Sequence, residues 1–85
     1  MSDQLEFIKF AMKEPFSQKQ KCGILLNIIC KGLNPDQLDI IHSIKQQSFT
    51  PEQNGDLFVD VTGGRSQREL HEKIAKFVSD SQINQ

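Results

Sequence analysis

The stretch Asp56-Leu-Phe-Val-Asp-Val61 decides how the rest of the chain is read. Acidic and apolar residues alternate along it. At a period of two, Leu57, Val59 and Val61 face one way, while Asp56, Phe58 and Asp60 face the other. The pattern predicts a short β-strand. The turn-rich run Phe49-Thr-Pro-Glu-Gln-Asn-Gly55 precedes it, and Thr62-Gly63-Gly64 ends it. A lone strand leaves at least one edge of unpaired backbone N–H and C=O groups. Such a strand needs either a small local ribbon or an incoming chain, and that need carries the functional expectation.

Working outward, helices flank the strand on both sides. Asp3…Glu6, Ser17…Gln20, Asn34…Gln37 and Ser66…Glu69 each pair a capping residue with Glu or Gln three places on. Pro35 strengthens the third, since proline suits the first helical position. The first helix is expected from Asp3 to Glu14, burying Leu5, Ile8, Ala11 and Met12 with Phe7 and Phe10 on a flank. The second runs from Ser17 to Lys31, stopped by Gly32. Its Cys22, Leu25, Leu26, Ile28 and Ile29 cover more than one face, which predicts a central helix contacted on several sides. The third spans Pro35 to Gln47 and buries Leu38, Ile41 and Ile44, with Ile40 beside them. The fourth spans Ser66 to Asp80 and buries Leu70, Ile74, Phe77 and Val78.

The expected fold class is therefore mostly α: one domain over residues 1–85, a small bundle of about four helices with one strand or hairpin before the last. Ten Lys+Arg against eleven Asp+Glu give a net charge of −1, too little positive charge to grip nucleic acid through its phosphates. The longest apolar runs, Ile24–Leu26 and Ile28–Cys30, are far short of a membrane span. The start MSDQLEF lacks the basic and apolar character of a secretory signal. Two cysteines do not make a disulfide scaffold, so a reducing, intracellular setting is expected.

The order of elements resembles the extra-terminal (NET) domain of the bromodomain and extra-terminal (BET) family of chromatin adaptors. The resemblance covers residues 17–78. Leu33-Asn-Pro-Asp-Gln-Leu38 stands at the family's entry to its second helix, with Ile41 and Ile44 continuing that face. Asp56–Val61 aligns with the family's acidic/apolar strand, and Arg68-Glu69-Leu70 with Phe77-Val78 are similar to its final helix. Proline lies one place later than usual, and Phe58 stands where the family has an acid. Residues 17–80 form the NET-like core, and 1–15 add an N-terminal helix that the family's core lacks.

The resemblance implies a non-enzymatic docking module in transcription or chromatin regulation, nuclear in that case. Such a domain takes short Lys/apolar peptides by strand addition beside an acidic strand, dropping apolar side chains into a cleft. The implied peptide-binding residues are Leu38, Ile41, Asp56, Leu57, Phe58, Val59, Asp60 and Val61. A monomer is favoured over a dimer, with no membrane and no nucleic acid as partner. The rival expectation is a small self-associating helical regulator, with a dimer surface on the first helix around Phe7 and Phe10.

No constellation supports catalysis. Cys22 and Cys30 lie eight residues apart on one expected helix, about 12 Å along its axis. That is too far for a disulfide between them, and the spacing is not that of a zinc site. Both are expected as buried thiols, with His42 and His71 on polar helix faces. Gly63-Gly64-Arg65-Ser66 reads as a turn with a capping serine rather than an anion cradle. No cofactor or metal is expected.

Overall fold

A computed structural model describes the backbone of residues 2–83 and the side chains of residues 4–80. Five helices follow one another: α1 (Ser2–Lys13), α2 (Gln18–Lys31), α3 (Pro35–Lys45), α4 (Pro51–Thr62) and α5 (Gln67–Ile83). Among the described residues there is no strand. The stretch expected as a strand, 56–61, forms the last two turns of α4, so the strand or hairpin expected before the last helix is corrected to a fifth helix.

The reason lies just upstream, in the segment read as a turn. Thr50 is an N-cap in extended conformation. Its hydroxyl accepts from the Gln53 N–H at 3.1 Å, while the Gln53 side chain accepts from the Thr50 N–H at 3.0 Å. Pro51 occupies the first helical position. A reciprocal cap with proline inside it starts a helix rather than a hairpin. Once started, α4 buries Leu57, Phe58, Val61 and Thr62, at i, i+1, i+4 and i+5 on one helical face.

The other expected starts stand as follows. Ser17 and Asn34 cap α2 and α3, each with a complete capping box onto Gln20 and Gln37. The Ser66 hydroxyl accepts from the Glu69 N–H at 3.2 Å before α5 begins. The Asp3 cap is different: α1 begins at Ser2, so Asp3 lies within the helix, and its side chain lies outside the described residues. Gly32 closes α2 at φ +76°, a conformation that disfavours any side chain, with its N–H on the Ile28 carbonyl at 2.8 Å.

The core is one cluster drawn from all five helices and the α1–α2 turn. Phe7 and Ala11 come from α1, Phe16 from the turn, Ile24 and Ile28 from α2, and Ile41 and Ile44 from α3. Leu57, Phe58 and Val61 come from α4, and Leu70 from α5. Phe58 is its centre, with Phe16 edge-on at 5.1 Å, Phe7 stacked at 5.9 Å and Phe10 tilted at 6.2 Å between ring centroids. Such pairs add about 0.5–1.5 kcal/mol each beyond area burial. The α1 stripe is rotated from expectation: Phe7 is buried, and Leu5 is 54% exposed.

Helix α4, not α2, is central: it packs against α2, α3 and α5, while α1 packs on α2. Helix α2 buries only Ile24 and Ile28 and turns Cys22, Leu26, Ile29 and Cys30 to solvent. The expectation of buried thiols is corrected accordingly. No helix among the described residues is long and apolar enough to cross a membrane.

Candidate functional site

Helices α2 and α4 run parallel, joined along their length by side chains of α2. At the N-terminal end Gln20 Nε2 donates to the Glu52 carbonyl and to Asp56 Oδ1, both at 3.0 Å. Midway Asn27 Nδ2 donates to the Val59 carbonyl at 3.1 Å and to Thr62 Oγ1 at 3.2 Å. At the C-terminal end Lys31 Nζ donates to the Gly63 carbonyl at 2.7 Å. Gln20 serves twice, because its Oε1 also accepts from the Ser17 N–H at 3.0 Å as part of the α2 cap.

Gly55 makes room for the Gln20 bridge. A Cβ there would collide with the Gln20 carboxamide, so glycine leaves room for that side chain to reach Glu52 and Asp56. Higher up, Gly23 faces Val59, where an added Cβ would sit 3.7 Å from both valine methyls, an ordinary contact distance.

Between the two helices an open groove remains, with Gly23 and Val59 on its floor, Cys22 and Leu26 on one wall, and Asp56 and Asp60 on the other. Asp60 is already partnered: Lys73 Nζ of α5 lies at 2.7 Å and Arg65 Nε at 4.0 Å. Arg65 in turn meets Glu69 at 2.8 Å, and that hydrogen bond, followed by the two nearby carboxylates, raises its already high pKa. Beside the groove lies the outward face of α2, where Leu26 is 60% exposed and Ile29 67%.

The structure separates the residues expected to bind peptide. Asp56, Val59 and Asp60 line the α2–α4 groove. Leu38 and Ile41 line a different groove, between α1 and α3, together with Phe7, Phe10 and His42. Leu57, Phe58 and Val61 line neither, being wholly enclosed in the core. A single cleft of all eight residues beside a strand edge is therefore corrected. His42 lies on the α1–α3 groove, His71 on a cleft between α3 and α5, and Cys22 on the α2–α4 groove, so neither histidine shares a concavity with that thiol.

Sequence reasoning missed Leu26 and Ile29 as surface residues. The signal was present: α2 carries more apolar residues than one buried face can hold. That excess fits a surface seam as well as it fits a helix contacted all round.

No protein-family model, curated protein or solved structure matches the chain.

Proposed function

We propose that this chain is a non-catalytic interaction module that works through the outward face of α2, and that the molecule it meets there is a second copy of itself. The observation carrying this reading is the exposure of Leu26 and Ile29, at 60% and 67%, one and two turns along from Cys22 on a helix that buries Ile24 and Ile28 on its opposite side. Two large aliphatic side chains left in water on one face mark an interaction surface. Helix α1, the other candidate for a dimer surface, also exposes Leu5 and part of Phe10, but its aromatic residues are engaged within the chain. Phe7 is buried, and Phe10 lies against the Phe7 and Phe58 rings with Lys45 Nζ 5.6 Å from its centroid.

Charge favours a copy of this chain over an unrelated apolar partner. Helix α2 carries Lys19, Lys21 and Lys31 and no acid, while α4 beside it carries Glu52, Asp56 and Asp60 and no base. A second copy laid antiparallel brings the Lys31 end of its α2 toward the Glu52–Asp56 wall of the first, and its Lys19 and Lys21 toward the opposite, Thr62–Gly63 end. It also opposes the two helix dipoles favourably.

Fully burying a Leu or Ile side chain is worth about 1.5–3 kcal/mol, and these two are already partly covered. Association itself costs at least about 4 kcal/mol. The expected dimer is weak and reversible, at the micromolar-to-millimolar end of the affinity scale. Sedimentation equilibrium across that range tests it. The wild-type mass should rise with concentration, and a Leu26→Glu, Ile29→Glu double variant should stay monomeric with unchanged helical circular dichroism. A wild-type chain still monomeric at millimolar concentration would refute the reading.

A second reading keeps the basic/apolar peptide as partner, in the α2–α4 groove and without strand addition. Its support is that Asp56, Val59 and Asp60 all line that groove. A ligand lysine reaching Asp60 would have to displace Lys73, held at 2.7 Å. An amide-shift titration with a Lys/apolar peptide separates the two readings, since only peptide docking moves Asp56 and Val59 at concentrations where the chain is monomeric.

A further inference from the structure

We infer that the cleft between α3 and α5 is a binding site for a small uncharged molecule, about the size of one aromatic ring, that carries a hydroxyl or an amide. The site is separate from the outward face of α2 and does not rest on self-association.

Each of the two helices turns a complete packing stripe toward the other. On α3 the stripe is Ile40, Ser43 and Ile44, with Gln47 just past the helix end. On α5 it is Gln67, Leu70, His71 and Ile74. Both sets follow the i, i+3, i+4, i+7 spacing of a single helical face. Facing stripes of this kind ordinarily close on each other. Here they stay apart, because α3 and α5 each lie against α4, and among the described residues no Cα of α3 comes within 8 Å of α5. The space between them is a cleft of about 190 Å³.

The floor of the cleft is core. Ile44 and Leu70 are 1% and 3% exposed, and half-buried Ile40 and Ile74 stand above them as walls. Ser43, Gln47, Gln67 and His71 are exposed around the mouth. A ligand seated on the aliphatic floor therefore meets hydroxyl, amide and imidazole groups at the rim, able to pair with one polar group of its own.

The lining contains no Lys, Arg, Asp or Glu. The other grooves differ: Glu6 and Lys45 line the one between α1 and α3, and Asp56 and Asp60 the one between α2 and α4. In a chain that is 25% charged, a concavity without charge selects against ions, which lose hydration there and meet no counter-charge.

Size selects among the neutral occupants. An apolar cavity of about 150 Å³ holds one benzene ring, so this cleft admits a single ring with one substituent. Sites for drug-sized ligands run to about 300–1,000 Å³, and a helix with its side chains is about 10–12 Å across, so both are too large for it.

Phenol is the probe and benzoate its charged control, titrated in mildly alkaline buffer, where phenol and imidazoles are both neutral. Methyl NMR on the wild-type chain reads the result. Phenol should move the Ile40, Ile44, Leu70 and Ile74 methyls along one saturable curve in the millimolar range and leave those of Leu26 and Ile29 in place, while benzoate should move neither set. Ser43→Phe, which fills the mouth from an exposed position, should abolish the response; Gln67→Trp does the same from the facing helix should the first variant not fold. The Leu26→Glu, Ile29→Glu variant should respond as wild type does, so failure of the dimer and failure of this site are separate results. Shifts that never saturate, or that benzoate matches, would overturn the inference, as would a folded Ser43→Phe chain that takes phenol as well as wild type. Cleft methyls that move with protein concentration and not with phenol would also overturn it, by showing that a second copy fills the cleft instead.

Discussion

Phe58 is the residue on which the helix and the strand give opposite answers. In a strand over 56–61 it shares the solvent face with Asp56 and Asp60, and truncating it costs little. In α4 it is 0% exposed and meets the rings of Phe7, Phe10 and Phe16. Phe58→Ala then removes a whole ring from the centre of the core, for which about 3–5 kcal/mol is expected. A chain of 85 residues has a total stability of about 4–13 kcal/mol, so the variant is at the edge of folding. Phe58→Leu, which leaves a smaller void, is the measurable companion at about 1–2 kcal/mol. Val59 supplies the contrast. The strand puts it in the core, whereas α4 leaves it half-buried on a groove floor, so Val59→Ala should cost under about 1.5 kcal/mol. Urea unfolding followed by circular dichroism gives both values with the slope as a check on two-state behaviour. If Val59→Ala proves more damaging than Phe58→Leu, residues 56–61 are not the helix described, and the groove built on them goes with it.

Four further outcomes follow from the packing, capping and ion pairs of α2 and α4. Gly23→Ala should stabilise the chain by about 0.5–1 kcal/mol, since helix propensity improves and the new methyl meets Val59 at ordinary distance; thermal melting reads it. Gly55→Ala, with the same propensity gain, should fail to stabilise, because it drives the Gln20 carboxamide from Glu52 and Asp56 and breaks the α2 cap; a stability gain equal to that of Gly23→Ala would contradict this. Thr50→Ala should cost about 0.5–2 kcal/mol through loss of the α4 cap, seen as a lower urea midpoint. Asp60→Lys should destabilise by about 1–3 kcal/mol, since it sets a cation against Lys73 and Arg65 at a site 18% exposed; high salt should narrow the deficit, and an unchanged midpoint would show that the ion pairs do not form.

Most of the fold was legible, and the part that was not has a definable cause. Ser17–Gln20 and Asn34–Gln37 mark their helices, and Ile41 and Ile44 are buried at the spacing the pattern requires. The strand arose because residues four apart share a face under both periods. Asp56 with Asp60, and Leu57 with Val61, sit together on a strand and on a helix alike. Only the positions between them discriminate. Phe58 and Thr62 join the buried set on a helix, and Phe58 placed on a charged strand face was the sign of the wrong period. Thr50-Pro51-Glu52-Gln53 has the form of a capping box with proline at the first position, which outweighs a turn reading of the same residues. The candidate site was legible only in pieces: Asp56 and Asp60 were rightly taken as neighbours on one face, but nothing local says that Lys73, thirteen residues on, already holds Asp60.

The helical state of 56–61 and the exposed seam on α2 have one physical cause. A small bundle has a single centre, and the helix that fills it needs apolar residues on more than one side. Two segments qualify, α2 and 56–61, and a strand over 56–61 leaves α2 alone to fill the centre. With α4 in the centre, contacted by α2, α3 and α5, the apolar excess on α2 stays uncovered among the described residues. Leu26 and Ile29 are not residual core but surplus to it, and the Gly23–Val59 hollow beside them is shaped by the packing of α2 on α4. The interaction surface is therefore tied to the stability of the helix pair. A substitution that breaks the Gln20 bridge between α2 and α4, such as Gly55→Ala, should weaken self-association without touching Leu26 or Ile29, whereas Gly23→Ala should weaken it by filling the hollow while stabilising the monomer. Opposite effects on folding with a shared loss of dimer mass would tie the surface to this helix pair, and a dimer indifferent to both substitutions would place the contact elsewhere on the molecule.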